Sequence, residues 1–561
     1  MNNLQNRIDM DNKTIARTFK LCGQLMELHN ENPFRSKAIA SASFKVDKLP
    51  FQAAEASLEK LSEQPGIGKS TAEKIKQIVT TGTFPELDEL LAKTPEGILE
   101  MLKIKGLGPK KILVIWHDLD IETVGELYYA CNENRLIEAK GFGLKTQEDI
   151  KKAIEFSMAN QGCFLYAKVI ASADTVLTHL RKALPDNQVE FTGAFRRKCE
   201  VLSQVELIID SDISTIHRAV STLRNEVAIE ADTKQLLFKD ENTCPFVIYS
   251  STPSSFAHDW LIHTGSEAHL DLLKPLSGAI PTGDTEADIY KNLGLDYILP
   301  ELREGLDEVS LAQKQQLPQL IEFDDLKGTL HNHSTYSDGV HSLKEMALYC
   351  KDNLGLSYFG ICDHSKTAVY ANGLTVDRLE QQWAEIDKLN TELAPFRIFK
   401  GIESDILSDG SLDYSDDILA KFDFVVASVH SNLKMDEEKA TARLIKAIEN
   451  PYTTILGHPT GRLLLARAGY PLDFKKIIDA CAANQVVIEI NANPLRLDLD
   501  WRWHRYALEK GVILSINPDA HRTEGLLDMH YGIHVARKGG LTKEKCLNAF
   551  TLEEISSFFS K

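Results

Sequence analysis

From Gly328 to His521 the chain repeats one pattern seven times: a short apolar run, a polar residue able to bind a metal at its end, then helix-like sequence. The first run ends in His331-Asn332-His333, followed by a polar turn carrying Asp338. The next end in Cys362-Asp363-His364, Glu403, His430, His458-Pro459, Asn491-Ala492-Asn493 and Asn517-Pro518-Asp519-Ala520-His521. Strands alternating with helices predict a parallel sheet, and near-continuous apolar strands predict burial of both its faces. In barrels of this kind the chemistry collects at the carboxyl ends of the strands. Side chains two apart on a strand point the same way, so His331 and His333 can grip one ion together. A single such His reads as a core or loop residue; a ligand type at every strand end reads as a multinuclear metal site. His341, His504, His530 and His534 lack that placement and read as structural.

The segments H-N-H-S-T-Y-S-D-G, C-D-H-S, G-I-E-S-D, A-S-V-H-S, G-H-P-T-G-R, E-I-N-A-N-P and N-P-D-A-H-R together resemble the PHP (polymerase and histidinol phosphatase) domain. More narrowly they resemble the PHP domain of bacterial family X DNA polymerases. The resemblance implies a distorted (β/α)7 barrel holding up to three Mn2+ or Zn2+ ions. It assigns His331, His333, Glu403 and Asp519 to a first ion. Glu403 bridges to a second, held also by His430 and His458. Asp338, His364 and His521 hold a third. Such a site clamps a phosphate and activates a water, so phosphoester hydrolysis is the expected reaction. Arg462 and Lys366, close after two of these positions, are candidates to steady a phosphate, with a solvated loop charge as the equal alternative.

Upstream, Gln64-Pro65-Gly66-Ile67-Gly68-Lys69 joins two helix-like stretches. Glycines allow a tight turn, and a helix starting at once after it presents free N–H groups to a phosphate. Ile104-Lys105-Gly106-Leu107-Gly108-Pro109-Lys110-Lys111 repeats the device, and Ala139-Lys140-Gly141-Phe142-Gly143 is a third, weaker copy. These resemble helix-hairpin-helix motifs, which hold DNA by its backbone without reading sequence. N-P-F-R at Asn32–Arg35 resembles the start of a helix in the small N-terminal domain of family X polymerases. Some members carry a Schiff-base lysine there, with Lys37 and Lys45 as candidates and an exposed helix lysine as the plainer reading.

Residues 164–320 resemble the nucleotidyltransferase palm and thumb of the same family, with departures. Gly193-Ala194 stands where a Gly-Ser turn is expected. The paired aspartates fall on Gln204 and Glu206, and the third acid falls near Val247. Gln brings no charge, and Glu sets its carboxylate one methylene too far for a fixed octahedral Mg2+ site. Asp210-Ser211-Asp212 offers a D-x-D, read as turn chemistry.

The 561 residues exceed one core. The expected parts are 1–82 and 83–160 (all-α, helix-hairpin-helix), 161–255 (α/β palm), 256–320 (thumb) and 321–561 (PHP barrel). A net charge of −18 argues against indiscriminate nucleic-acid binding but leaves local basic sites open. The 9 scattered Cys read as reduced thiols, and neither a secretory h-region nor a membrane-length apolar run is present. The expectation is a cytoplasmic, monomeric, DNA-binding repair enzyme: a metal-dependent 3′-5′ exonuclease or 3′-end phosphoesterase whose polymerase activity is lost. An active polymerase with PHP proofreading and a non-catalytic DNA-binding scaffold are the alternatives.

Overall fold

The computed structural model describes residues 10–132, 135–223, 227–230, 235–240 and 243–560. The chain divides into two compact units, Met1–Gln161 and Gly162–Lys561. Among the described residues no helix is long and apolar enough to cross a membrane.

The first unit is helical. Helix Asn12–Leu28 packs on helix Pro33–Asp47, which starts as N-P-F-R suggests. Asn32 caps it by accepting from the Phe34 N–H at 2.9 Å, and Pro33 sits in the first turn, where its missing N–H costs nothing. Ile15, Phe19, Cys22 and Leu25, spaced to share one face, join Ile75, Ile78, Ile98 and Ile112 in one apolar core.

The second unit opens with helix Tyr166–Ala183 and a five-stranded sheet. Its strands are β1 (Val189–Thr192), β2 (Val205–Ile209), β3 (Ala228–Glu230), β4 (Gln235–Lys239) and β5 (Pro245–Ser250), in the order β1-β2-β5-β4-β3. Only β2 and β5 run parallel. A helical segment with its own small core, around Leu261, Leu273, Ile289 and Tyr290, follows.

The remainder is a nearly closed seven-stranded parallel barrel. Its strands are β6 (Gly328–Thr329), β7 (Tyr358–Ile361), β8 (Arg397–Asp405), β9 (Phe424–Ser428), β10 (Ile455–Leu456), β11 (Val487–Asn491) and β12 (Leu514–Asn517). They pair in sequence order, and a single bridge between Asn332 and Ala520 draws the first and last together. Strand β9 explains its own continuous apolar sequence. Phe424 and Val426 face one cluster with Tyr358, Phe399 and Ile455, while Val425 and Ala427 face the shell of helices. Phe559, from the last helix, stacks on Phe424 at 5.0 Å within the first cluster. That apolar cluster leaves the opposite, carboxyl ends of the strands to polar residues.

Candidate metal centre and DNA-facing loops

The nine side chains singled out in the barrel converge at those carboxyl ends. Glu403, the seventh residue of β8, is the hub. Its Oε1 lies 3.0 Å from His458 Nε2, 3.1 Å from His430 Nε2 and 3.3 Å from His331 Nε2, and its Oε2 lies 2.8 Å from His364 Nδ1. Asp519 Oδ1 lies 3.1 Å from His333 Nε2 and 3.8 Å from His331 Nε2. Asp338 Oδ1 stands 3.3 Å from His521 Nε2 and 3.6 Å from His364 Nε2. Three groups are close enough to share an ion: His331, His333 and Asp519; His364, Glu403 and His430; His333, Asp338, His364 and His521. His333 and His364 thus each belong to two groups, where the family pattern gives each a single ion. His458 and Asp519 hold positive φ, 24° and 53°, a strained backbone of the kind that aims side chains at functional sites.

Buried carboxylates outside this set orient the imidazoles. Glu489 Oε1 lies 2.7 Å from His331 Nδ1, and Asp405 Oδ1 lies 2.6 Å from His430 Nδ1. Each Nδ1 donates to its carboxylate, so Nε2 is the atom each ring turns to the centre, where it would meet an ion once free of a proton. His331 Nε2 is fully buried and makes no hydrogen bond among the described residues, which fits a ligand atom. Without an ion, burial disfavours charge on His430, but Glu403 and Asp405 outweigh it and raise its pKa to about 10. Burial, with His521 and His364 nearby, lowers His333 to about 3 and leaves it a neutral donor. Burial opposes ionisation of Glu403 too, yet His430, His331 and His364 hold it well below the usual carboxylate range. Imidazole and carboxylate in this density suit a divalent cation.

Sequence reasoning missed Glu489 and Asp405, although both sit at period-two spacing with a strand-end polar residue (Glu489 with Asn491, Asp405 with Glu403). It also missed Arg496, whose Nε lies 3.6 Å from Asp519 Oδ2. Arg462 is committed elsewhere: it donates to the Arg496 and Leu497 carbonyls and pairs with Asp500 at 2.6 Å. Lys366 is exposed, with its ammonium 5.3 Å from the Tyr414 ring centroid.

The three Gly-x-Gly turns are near copies in the fold. Gly66, Gly106 and Gly141 have φ of +83°, +92° and +88°, a region open to glycine. Gly68, Gly108 and Gly143 are extended N-caps without a side-chain cap, starting helices Lys69–Thr81, Pro109–Leu113 and Leu144–Ala159. Ile67 and Leu107 bury the middle of the first two turns, and Phe142 half-buries that of the third. The first N–H groups of helices Lys69–Thr81 and Leu144–Ala159 have no partner within their own helix, whereas at the second turn Pro109 has no N–H and the Lys111 and Ile112 N–H groups donate to the Gly108 carbonyl. Lys69 and Lys110 are exposed; Lys111 donates to the Gly106 carbonyl at 3.2 Å. Lys37 and Lys45 are both exposed.

In the five-stranded sheet Glu206 pairs with Thr192 on one side and with Val247 on the other. Val247, at the third-acid position, is 3% exposed and apolar. The Glu206 carboxylate accepts from the Tyr249 hydroxyl at 3.0 Å and lies over Gly193, where an added Cβ would meet it at 1.7 Å. Gln204 is half-buried just before β2. Among the described residues, every group able to share an ion lies in the barrel. Arg196 forms a two-pronged pair with Glu286 (2.8 and 2.7 Å) and stacks 3.5 Å from the Trp260 centroid. Arg197 pairs with Glu304 at 3.0 Å. Asp212 caps helix Ile213–Ser221, and Asp210 accepts from the Gln188 N–H, so the D-x-D serves its turn.

Comparison with known proteins agrees with this layout. Residues 10–84 match the model of a helix-hairpin-helix domain, and residues 98–155 that of a SAM-like helix-hairpin-helix tandem. A Bacillus subtilis (strain 168) protein named "DNA polymerase/3'-5' exonuclease PolX" is 35% identical over 577 residues, covering 98% of this chain and 100% of the relative. Proteins named "Probable phosphatase" are similar over a shorter stretch. One from Thermoanaerobacter sp. (strain X514) is 31% identical over 161 residues, 27% of this chain and 63% of the relative. One from Acetivibrio thermocellus is 30% identical over 165 residues, 29% and 63%. With helix-hairpin-helix turns, a five-stranded α/β module and a C-terminal PHP barrel in one chain, and this similarity along its length, the protein belongs to the bacterial PolX family.

Proposed function

We propose that the barrel is a metal-dependent phosphodiesterase that shortens or trims DNA 3′ ends, and that the palm no longer polymerises. The observation that carries this reading is the pair of donor sets: Glu403 with eight further side chains able to coordinate, and one tethered carboxylate at Glu206. His331, His333, Glu403 and Asp519 would hold one ion, Glu403, His430 and His458 a second, and Asp338, His364 and His521 a third. Mn2+ or Zn2+ suits these ligands. When bound, such ions clamp a phosphate, lower the pKa of a water and neutralise the leaving oxygen.

The chain's own residues do the rest. Glu489 and Asp405 fix the imidazole tautomers, so the lone pairs stay aimed at the centre. Arg496, beside Asp519, offers a guanidinium to a phosphate oxygen. Gly66, Gly68, Lys69, Gly106, Gly108, Lys110, Lys111, Gly141 and Gly143 grip the DNA backbone irrespective of sequence. The palm's arginines are held by Glu286 and Glu304, which leaves little for an incoming triphosphate. The reading includes the five domains drawn from the sequence and a monomer working in the cytoplasm.

A second reading keeps polymerisation, because the Bacillus relative is named for both activities. One gel separates them. A 5′-labelled primer on a gapped template is incubated with Mn2+ and all four nucleoside triphosphates. Shortening that His333→Ala and EDTA abolish supports the nuclease with a silent palm. Extension overturns the silent palm, and an unchanged primer overturns the exonuclease.

A further inference from the structure

Arg496 stands on the loop after β11, and three carbonyl and carboxylate contacts fix that loop. Arg462, four residues beyond the ligand His458, donates from Nε to the Arg496 carbonyl at 2.9 Å and from a terminal nitrogen to the Leu497 carbonyl. Its Nη1 pairs with Asp500 at 2.6 Å. The next residue, Trp501, is 5% exposed and donates its indole N–H to Glu200 Oε2 at 3.2 Å. Glu200 does not belong to the barrel. It precedes the short strand Val201–Leu202 of the palm side, and its backbone carbonyl accepts from the Tyr166 N–H. Its side chain is 10% exposed. Arg502 also reaches Glu200, at 3.4 Å, but its side chain is 57% exposed, so screening leaves this contact weak. The part-buried indole bond is the better shielded of the two.

We propose that Glu200 is a positioning residue of the barrel's hydrolytic site: through Trp501, Asp500 and Arg462 it sets where Arg496 stands beside Asp519. The palm side would then be retained as a part of the nuclease. This inference rests on the phosphodiesterase reading above. A half-buried carboxylate that keeps its indole donor locks the Asp500–Trp501 segment. Without it, the segment can shift, and with it the Arg462 fork that carries Arg496.

The test uses the full-length protein, Mn2+ and bis(p-nitrophenyl) phosphate, with kcat/KM, bound Mn2+ and Tm measured for each variant. Glu200→Ala should lower kcat/KM about 10-fold, the usual scale for a displaced supporting residue, with Mn2+ content unchanged. Glu200→Gln keeps an oxygen for the indole and should recover most of the loss. Trp501→Phe removes the N–H but keeps the ring, and should reproduce the defect even if Glu200→Ala folds poorly. In an Arg496→Ala background, Glu200→Ala should change kcat/KM less than about twofold, because coupled sites are non-additive. Full activity of Glu200→Ala, or losses that multiply with Arg496→Ala, would overturn the inference. A wild-type protein without Mn2+-dependent hydrolysis would sink the phosphodiesterase reading first and this inference with it.

Discussion

Glu286 offers a quantitative test of how firmly the palm arginines are committed. Its carboxylate is 4% exposed and meets two guanidinium groups: Arg196 at 2.8 and 2.7 Å, and Arg303, fully buried, at 2.7 and 3.0 Å. Burial alone would raise its pKa, but the hydrogen bonds and charges of Arg303 and Arg196 lower it from 4.5 to about 2. At 1.36 kcal/mol per unit the difference is about 3 kcal/mol of folding stability. The folded pKa is depressed, so this stability is fully present above pH 4.5 and disappears as the pH falls towards 2. Glu286→Gln keeps the shape and removes the charge. It should therefore destabilise helices Phe256–Thr264 and Glu286–Asn292 by about 3 kcal/mol at pH 7, and by far less near pH 2.5. A chain with several cores unfolds in more than one step, so the readout is local hydrogen exchange in those helices, corrected for intrinsic rates. An equal gap between variant and parent at both pH values would refute the assignment of the energy to this ion cluster.

At the barrel, Glu489→Gln should weaken binding of the most tightly held Mn2+ by about 10- to 100-fold in a calorimetric titration, because His331 loses its orienting carboxylate. Unchanged affinity would make Glu489 a passive core residue. His430, raised to about 10 without an ion, must give up its proton to bind one. Mn2+ binding at pH 7 should thus release protons and weaken as the pH falls. Calorimetry in two buffers of different ionisation enthalpy reads this directly, and identical heats would contradict it. At the helix-hairpin-helix turns, Lys69→Ala or Lys110→Ala should weaken DNA binding equally for unrelated sequences and lower the salt slope by about one. A sequence-dependent loss would argue for base contacts instead.

The barrel and the cluster of His, Asp and Glu at its strand ends were legible because two independent patterns coincide there. Buried parallel strands write themselves as apolar runs such as Phe424–Ser428, and the clustered His, Asp and Glu residues fall where those runs stop. The glycine turns were legible for a backbone reason: Gly66, Gly106 and Gly141 occupy positive φ, where other residues are strained. What stayed hidden depends on partners far apart in sequence. Glu489 lies inside an apolar strand and looks like an interruption until His331, 158 positions away, is placed against it. Nothing in the sequence shows what Arg196 and Arg197 pair with, and only the fold reveals Glu286 and Glu304 on them. The same logic explains the palm. A sequence displays Gln204 and Val247 where the family resemblance sets acids, but not that Glu206 lies against Gly193 and accepts from the Tyr249 hydroxyl. On the proposal of a silent palm, an aspartate at position 204 alone would leave Glu206 tethered and Val247 apolar, and extension should return only when all three positions are changed together.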